Sequence, residues 1–515
     1  MTIRQVHRPK ITVWPNGRKG GTLDLSSVCV AFSCSKSISK PTGNWRMSLL
    51  PRQGKQGPAA LRNLSDLEKL IRPNAVVSIG YDESGGIMFG LVDSVRRNRS
   101  MGDTTNYGLT LTGSDFGKAL ARDHIVKASL TIQSTLKVIT QVAAVTGPQH
   151  SLIEALPGLW GPQGRTTTPT FTGKGVQDVV DWLLETAPSL SVPLLAGQGG
   201  TGRPGEFINT EGTISTWNDG RIWNDGPQTY QGTVWDFMRR ILDEDFYEVW
   251  LDTTPAAAVR AQNVLAGISP TDIPRIDLII RPKPFDEPAM MFLPTGDSTG
   301  LDWPSLQTRI DGFPNHEIPL ASIIQEDLGF TDEDVYSYFL VTTAHALLGN
   351  PDGLKEGLYY PGIDTFALSK TGLRSYEGTL SLLAADVVAK TKGDVDYDGD
   401  VGIEVVQFRN RLMNWYRANE YMTAGTITVP GKDRYRVGDP VLIPEMQPAR
   451  GQDPGMRFYC VGTTHKWSAT GLYSCELRLM RGHNTSVITQ FKQEIAADVR
   501  RYPGADPAHL ATADR

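Results

Sequence analysis

The chain has 515 residues, of which 21% are charged and 40% hydrophobic, and its formal net charge is −5 at pH 7. These are ordinary values for a globular protein, and the length favours about three or four domains. The mild acidic balance argues against a general nucleic-acid-binding surface, which needs a basic excess. No apolar run approaches the about 20 residues that span a membrane, and the first residues lack the apolar core of a signal peptide.

The first patterned region runs from Asn74 to Leu120. Apolar side chains alternate with small or polar ones along Gly86–Arg96 and Asn106–Gly113, which is the two-residue period of a strand with one buried face. The basic run that ends the first of these strands (Arg96, Arg97 and Arg99) favours a solvated edge or an interface contact over a phosphate site. The region predicts a small antiparallel barrel or sandwich.

The middle of the chain, from about residue 126 to 400, mixes helical and strand patterns. Val176–Leu184 and Val234–Leu242 carry apolar residues at helical spacing, and Thr233 is a candidate N-cap for the second helix. Two strand patterns follow, "FYEVWLD" and "RIDLIIRPKPF". Residues 331–350 fit either a helix or a strand, whereas 379–391 and 403–420 are typical of helices.

An acidic loop, "DVDYDGDVGIEV", lies between the last two predicted helices. Clustered carboxylates with a glycine at the turn are what a calcium loop requires. The pattern departs from an EF-hand loop at its end, because the last carboxylate comes one position early. The loop therefore predicts either a tentative Ca²⁺ site, which would be the only cofactor, or an exposed acidic turn. The candidate ligands are Asp394, Asp396, Asp398, Asp400 and Glu404.

A second β region, Thr423–Gly482, has the same character as the first. Its last strand places Tyr473, Cys475 and Leu477 on one face. The four cysteines predict buried free thiols rather than a disulfide framework. Cys29 and Cys34 are five apart, so a regular strand would point them to opposite faces.

We find no catalytic constellation in the sequence. There is no G-x-S-x-G, no phosphate-binding loop with its Lys-Ser/Thr pair, and no pair of histidines with metal-ligand spacing. Aromatic residues concentrate around Trp235 and Trp250, where they fit a hydrophobic core better than a sugar-binding platform. Two similar β regions without chemistry between them predict a structural protein and not an enzyme.

The order of segments resembles a known family. In chain order they are "LTLTGSDFGKAL", "TVWDFMRRILDEDFYEVWLD", "LGFTDEDVYSYFLVTT", "YPGIDTFALSKTGLRSYEGTL" and "YRVGDPVLIP". This order is similar to that of the central hub proteins of bacteriophage tail baseplates, particularly of contractile tails. The related hub part of type VI secretion spike proteins shares the fold of this family. The resemblance covers roughly residues 22–482, but it places neither the acidic loop nor the Gly/Asn-rich stretch before the second helix.

The resemblance implies a homotrimer in which each subunit contributes two tube-type β domains, so that three chains present six to a six-fold tail tube. The implied partners are the tail tube protein, a three-fold spike protein, the tape measure protein and the other baseplate (wedge) proteins. Genomic DNA would pass through the central channel without specific binding. The implied location is the tail baseplate of the virion, after assembly in the host bacterial cytoplasm.

The expected fold class is therefore α+β and β-rich, with two tube-type antiparallel β-barrel domains flanking a mixed α+β middle region. The expected divisions are an N-terminal arm (1–22), the first barrel domain (23–125), a middle domain (126–300), a connecting domain (301–400), a helix with the second barrel domain (401–482) and a tail (483–515). Two alternatives stay open. One is the hub of a related contractile injection or secretion machine, and the other is a carbohydrate-binding or carbohydrate-active protein.

Overall fold

The computed structural model describes residues 9–18, 22–38, 40–50, 64–81, 86–98, 108–122, 124–125, 208–209, 221–223, 232–241, 245, 247–254, 274–283, 316–343, 362–380, 382–384, 405, 408–410, 412–413, 415–416, 419–444 and 455–483.

Strands dominate the described residues, and helices are few and short. The strands are β1 (Lys10–Arg18), β2 (Leu23–Asp24), β3 (Cys29–Ser37), β4 (Asn44–Leu49), β5 (Val76–Gly80), β6 (Met88–Asn98), β7 (Gly108–Asp115), β8 (His124–Ile125), β9 (Ile208–Asn209), β10 (Arg221–Trp223), β11 (Gly232–Thr233), β12 (Tyr247–Thr254), β13 (Arg275–Pro282), β14 (His316–Glu317), β15 (Gln325–Phe330), β16 (Tyr338–Thr343), β17 (Gly362–Ile363), β18 (Ser375–Leu380), β19 (Leu382–Ala384), β20 (Thr423–Pro430), β21 (Pro440–Ile443), β22 (Met456–Ser468) and β23 (Ser474–His483). The helices with described bounds are α1 (Leu64–Leu70), α2 (Gly117–Arg122), α3 (Val234–Ile241) and α4 (Thr365–Thr371). The described residues at 405, 408–410, 412–413 and 415–416 are also helical, within the predicted helix 403–420.

One large, mostly antiparallel sheet contains both β regions. Among the described residues it has 13 strands, in the order β15-β20-β23-β22-β3-β4-β7-β6-β5-β1-β2, with β21 and β14 branching from β22. The two regions meet where β22 pairs with β3. The prediction of a β-rich fold is confirmed, whereas closure of each region into a barrel of its own stays a prediction.

The two ends of the sheet repeat one strand order. In the first unit (β1 and β3–β7) the strands lie side by side as β3-β4-β7-β6-β5-β1, and in the second unit (β14, β15 and β20–β23) as β15-β20-β23-β22-β21-β14. Numbered along the chain, both orders read 2-3-6-5-4-1. The units differ at one pair, because β1 runs antiparallel to β5 whereas β14 runs parallel to β21.

The repeat extends to backbone details. Asn74 and Gly438 both have positive φ angles, 70° and 90°. The Asn74 N–H donates to the Val92 carbonyl, and the Gly438 N–H donates to the Cys460 carbonyl. In each unit the register of the strand pairing then shifts directly after the accepting residue. The shift lies between Val92 and Ser94 in β6 and between Cys460 and Gly462 in β22. Because these features match in kind and position, the two units share one strand order and, apart from β1 and β14, the same strand directions.

Each unit has its own hydrophobic core. Removing apolar surface from water contributes about 25 cal/mol per Å² buried, so these two clusters supply most of the driving force for folding of the described sheet. The first core includes Ile11, Val13, Phe32, Trp45, Met47, Val77, Ile79, Met88, Leu109 and Leu111. The second includes Ile427, Val429, Tyr435, Val441, Ile443, Phe458, Cys460, Cys475, Leu477 and Leu479.

Small sheets make up most of the described middle. Strand β12 pairs with β13, and β13 pairs with β9; β16 lies between β17 and β18. Helix α3 begins where the sequence predicts, since the Thr233 hydroxyl accepts a hydrogen bond from the Asp236 N–H at 3.0 Å. The helix predicted over 379–391 is wrong at its start, because β18 and β19 occupy those residues. The ambiguous segment 331–350 contains strand β16.

The four cysteines are buried free thiols, as predicted. The expectation that Cys29 and Cys34 point to opposite faces is wrong, since both lie in the first core. A register shift between Cys29 and Ala31 inserts an extra residue into β3. This β-bulge reverses the alternation, so the two side chains face the same core.

Among the described residues no helix combines the length and the apolar character that crossing a membrane requires.

Candidate functional site

The most distinctive place in the fold is the junction, which we define as the pairing of β3 with the second half of β22. Seven residue pairs form it, from Gly462 opposite Ser37 to Ser468 opposite Ala31. Strand β22 is long enough to pair with β21 along its first residues and with β3 along its last. The junction therefore joins the two units edge to edge through backbone hydrogen bonds.

Aromatic side chains pack across the junction. Trp467 stacks on Phe32 with ring centroids 6.0 Å apart, and Tyr473 stacks on Tyr81 at 4.1 Å. Trp467 and Tyr473 come from the second unit but belong to the first core. Aromatic pairs of this kind stabilise by about 0.5–1.5 kcal/mol beyond their buried area. The junction is therefore a continuous interior and not a loose contact.

A row of polar side chains beside the junction resembles a nucleophile with its base. His465 Nδ1 lies 2.8 Å from the Tyr473 hydroxyl, and the Cys475 thiol lies 3.8 Å from His465 Nε2. The Tyr473 hydroxyl in turn donates to Asp433 at 3.0 Å. Cysteine catalysis needs a thiolate with access to substrate.

The electrostatics of this row exclude that chemistry. Burial lowers the pKa of His465 to about 3, so the ring stays neutral. Burial raises the pKa of the Cys475 thiol well above its usual range, and the side chain has no exposed surface. A neutral imidazole beside a protonated, inaccessible thiol is a structural hydrogen-bonding group.

A charged cluster fastens the middle of the chain to the junction. Asp252, on β12, accepts from the Lys36 ammonium at 3.3 Å and from the Arg436 guanidinium at 3.1 Å. Lys36 also donates to the Thr253 hydroxyl at 2.9 Å. Burial acts to raise the pKa of the Asp252 carboxyl, but Arg436 and Lys36 outweigh it and hold the pKa below its usual range. The cluster gathers one residue from the first unit, one from the second and one from the middle.

Sequence reasoning missed this cluster. Lys36 and Asp252 are 216 residues apart, and Arg436 follows Asp252 by another 184. None of the three belongs to a local pattern with a chemical meaning. Only the three-dimensional pairing of β3 with β22 brings them together.

The proposed calcium ligands lie outside the described residues, and so does the loop that carries them: Asp394, Asp396, Asp398, Asp400 and Glu404. In the part of the chain that the structure describes, no group of three or more His, Cys, Asp or Glu side chains is placed to hold a metal ion. The calcium site stays a prediction.

The described aromatic residues around Trp235 and Trp250 are core residues. Trp235, Tyr247 and Trp250 are all buried, whereas a sugar-binding platform needs exposed ring faces. The carbohydrate alternative thus loses its sequence argument at these positions.

Two oppositely charged strand edges lie on the surface. Arg96 and Arg97 are exposed near the end of β6, where Arg97 also pairs with Glu68 of α1. Glu326 and Asp327 are exposed on β15. This exposure agrees with both alternatives for the basic run, a solvated edge and an interface contact; Arg99 lies outside the described residues.

No protein-family model matches this chain, and no curated protein matches it. Solved structures similar to it include a tail protein from Neisseria meningitidis MC58 (TM-score 0.46, 13% identity, 92% of this chain and 96% of that one). Another is the 43 kDa tail protein of prophage MuSo2 from Shewanella oneidensis (0.41, 9%, 92% and 98%). A third is a type VI secretion component of E. coli, described as structurally similar to T4 bacteriophage tail proteins (0.35, 7%, 88% and 74%). These are the classes of protein that the segment order resembles; at this level of similarity they assign no site to the chain.

Proposed function

We propose that this chain is a structural component of a phage tail, the trimeric baseplate hub that joins a six-fold tail tube to a three-fold spike. One observation carries the proposal. The chain holds two β units of the same strand order, joined edge to edge in one sheet. Three such chains present six equivalent units, which is the number that a six-fold tube requires.

The geometry of the joint supports this role. Strand pairing at an edge can repeat, because each added unit offers a new edge to the next. A ring made this way has a rigid wall, since backbone hydrogen bonds and packed aromatic rings hold its joints. In the proposed ring, the formal charge of −5 on each subunit disfavours attraction of DNA to the channel.

The electrostatics beside the junction agree with a role without catalysis. The described thiols are buried, and His465 is neutral and buried. In this proposal any cell-wall-degrading activity belongs to a partner. The middle of the chain, apart from β14 and β15, which belong to the second unit, holds the spike and the neighbouring wedge proteins.

The experiment is reconstitution of the purified chain with candidate tail tube and spike proteins from the same genome, followed by electron microscopy. We expect a ring at one end of the tube, with six lobes facing the tube and three facing the spike. A chain that binds neither protein, or that assembles with six copies, would contradict the proposal. Assembly with a secretion tube but not with a phage tail tube would favour the injection or secretion machine.

A further inference from the structure

We propose that strand β15 of one copy of this chain pairs, antiparallel, with residues Ser94–Asn98 of β6 in a second copy. This contact between two chains would have the same form as the junction, which β3 and β22 make within one chain. This inference rests on the proposed trimeric hub and specifies how its subunits join.

The first step is the equivalence of the strands. β6 and β22 occupy the same position in their units, as do β3 and β15. On β22 the residues after the register shift at Cys460–Gly462 pair with β3. On β6 the residues after the matching shift at Val92–Ser94 are Ser94–Asn98, and in the described residues no strand pairs with that edge. The edge that receives β3 in the second unit is therefore present in the first.

The second step is the incoming strand. β15 pairs with β20 on one side, and among the described residues no strand lies on its other side. All but one of its six residues are exposed. Phe330 is 70% exposed and Ile324, directly before the strand, is 54% exposed. An edge strand with unpaired backbone groups and exposed apolar ends is a template for pairing with another chain.

The third step is the register of the proposed pairing between β15 and β6, which follows from the matching registers of the two units. Cys34 lies opposite Trp45, and Leu328 lies opposite Gly425, at equivalent places in β3 and β15. Across the junction Cys34 lies opposite His465. His465 comes five residues after Cys460 in β22.

The equivalent residue on β6 lies five residues after Val92, and it is Arg97. The proposed pairs are therefore Arg97 with Leu328, Arg96 with Gly329, Asn98 with Asp327 and Val95 with Phe330.

Charge complementarity supports this register. In the proposed pairing, Arg96 of one chain lies on the same face of the sheet as Asp327 of the other and diagonally across from it. Arg97 lies in the same way relative to Glu326. Diagonal neighbours on antiparallel strands lie about 7–8 Å apart at Cα, within reach of arginine. The exposed Phe330 ring comes to lie opposite Val95, which packs against the first core. Neither an acidic nor a basic partner would satisfy both edges, whereas a second copy does.

The test is disulfide cross-linking of an Arg96→Cys, Gly329→Cys double variant of the full chain, oxidised with glutathione disulfide. A side chain at position 329 meets nothing within 4 Å, so the substitution is tolerated in the isolated chain. The four native cysteines are buried and leave a low background. We expect species of two and three linked chains on a non-reducing denaturing gel.

The matched control is Arg96→Cys with Glu326→Cys. Position 326 is also exposed but faces the other side of β15, so we expect at least a tenfold lower yield of linked chains. If the parent is a trimer by light scattering and the Arg96–Gly329 pair links no chains, the strand pairing is wrong and the hub stands. If two-chain species form and the parent is a dimer, the pairing stands and the trimer is wrong. A parent that stays monomeric even with the spike protein added, and that gives no linked species, overturns both.

A second pair of variants tests the charges without new thiols. Asp327→Arg places two arginines diagonally across the interface and should weaken association by at least about tenfold. Adding Arg96→Asp reverses both charges and should restore trimer at the parent's concentration. Restoration by Arg96→Asp is the result that a merely misfolded variant would not give. If the double variant associates as weakly as Asp327→Arg alone, the proposed register is wrong.

Discussion

Three side chains, Lys36, Asp252 and Arg436, connect the middle of the chain to the sheet. Asp252 is the anion between two cations, and all three are partly shielded from water. Removing one partner of a shielded ion pair costs more than the pair contributes, because the remaining charges lose both water and counter-charge. The stability of this contact therefore depends on Asp252 more than on either cation.

We predict that Asp252→Ala lowers the free energy of unfolding by about 2 kcal/mol, less than a fully buried pair would lose. The measurement is chemical denaturation of the parent and the variant. The control is Glu476→Ala, which breaks the exposed Lys466–Glu476 pair at 2.7 Å and should cost under about 1 kcal/mol. Equal losses for the two variants would contradict the role of Asp252.

The neutral His465 makes stability depend on pH. Its folded pKa of about 3 lies below the ordinary value of 6.5, so below pH 6.5 the unfolded state binds a proton that the folded state does not. The contribution to stability is therefore complete above pH 6.5 and is lost as the pH falls toward 3. Each pH unit in that window corresponds to about 1.4 kcal/mol.

We predict that His465→Gln is less stable than the parent at pH 7, because the contact with Tyr473 is altered. The difference should shrink as the pH falls from 6.5 to 5, since glutamine does not titrate. Denaturation of both proteins at several pH values measures this difference and cancels the contributions of other groups. A difference that stays constant from pH 7 to pH 5 would show that His465 titrates normally.

Strands with a strong two-residue period were predictable from the sequence. β6, β7 and β23 all lie where alternation places them, because local burial decides their pattern. Helix α3 was predictable for a similar reason, with Thr233 as its cap. The pairing of β3 with β22 was not predictable, because no local sequence pattern indicates which strand edges pair when the strands are more than 400 residues apart.

Two further prediction errors have identifiable physical causes. The bulge at Cys29–Ala31 changes the side-chain alternation in β3 without a mark in the sequence. The segment 379–391 has apolar residues that fit a helix, but the pairing of β18 with β16 and of β19 with β10 determines the structure of its described part. Tertiary pairing overrides weak local preference in such short segments. The predicted calcium ligands stay untested, because their loop lies outside the described residues.

The turns that start β5 and β21 depend on residues that tolerate positive φ. Gly438 has φ 90°, and a residue with a Cβ pays about 1–2 kcal/mol in that region. We predict that Gly438→Ala destabilises the protein by about that amount in thermal denaturation. Asn74→Gly, at the equivalent turn with φ 70°, is the control and should leave stability unchanged or higher. If Gly438→Ala is neutral, the turn does not require a left-handed residue.

The acidic loop gives a separate prediction. If it binds calcium, millimolar Ca²⁺ should raise the melting temperature of the parent, because a ligand that binds only the folded state stabilises it. Asp396→Ala with Asp398→Ala should abolish that rise, and Mg²⁺ should not replace Ca²⁺. Absence of a calcium-dependent shift in the parent would end the metal hypothesis without affecting the hub.

We propose that the assembled hub is built by repetition of one joint. Within a chain the joint is β3 with β22, and in the proposed hub the joint between chains is β6 with β15. Alternation of the two joints around three chains would close a ring of six similar units. A ring closed by head-to-tail contacts has no free edge left, which removes the aggregation hazard that the exposed β15 presents in an isolated chain.

The central claim is that three copies of this chain form that ring. Its most direct test is light scattering coupled to size-exclusion chromatography, over a range of concentrations and with the spike protein added where needed. The account predicts a mass three times that of the 56.4 kDa chain. A stable dimer, or a monomer that the spike protein does not convert to a trimer, would contradict it.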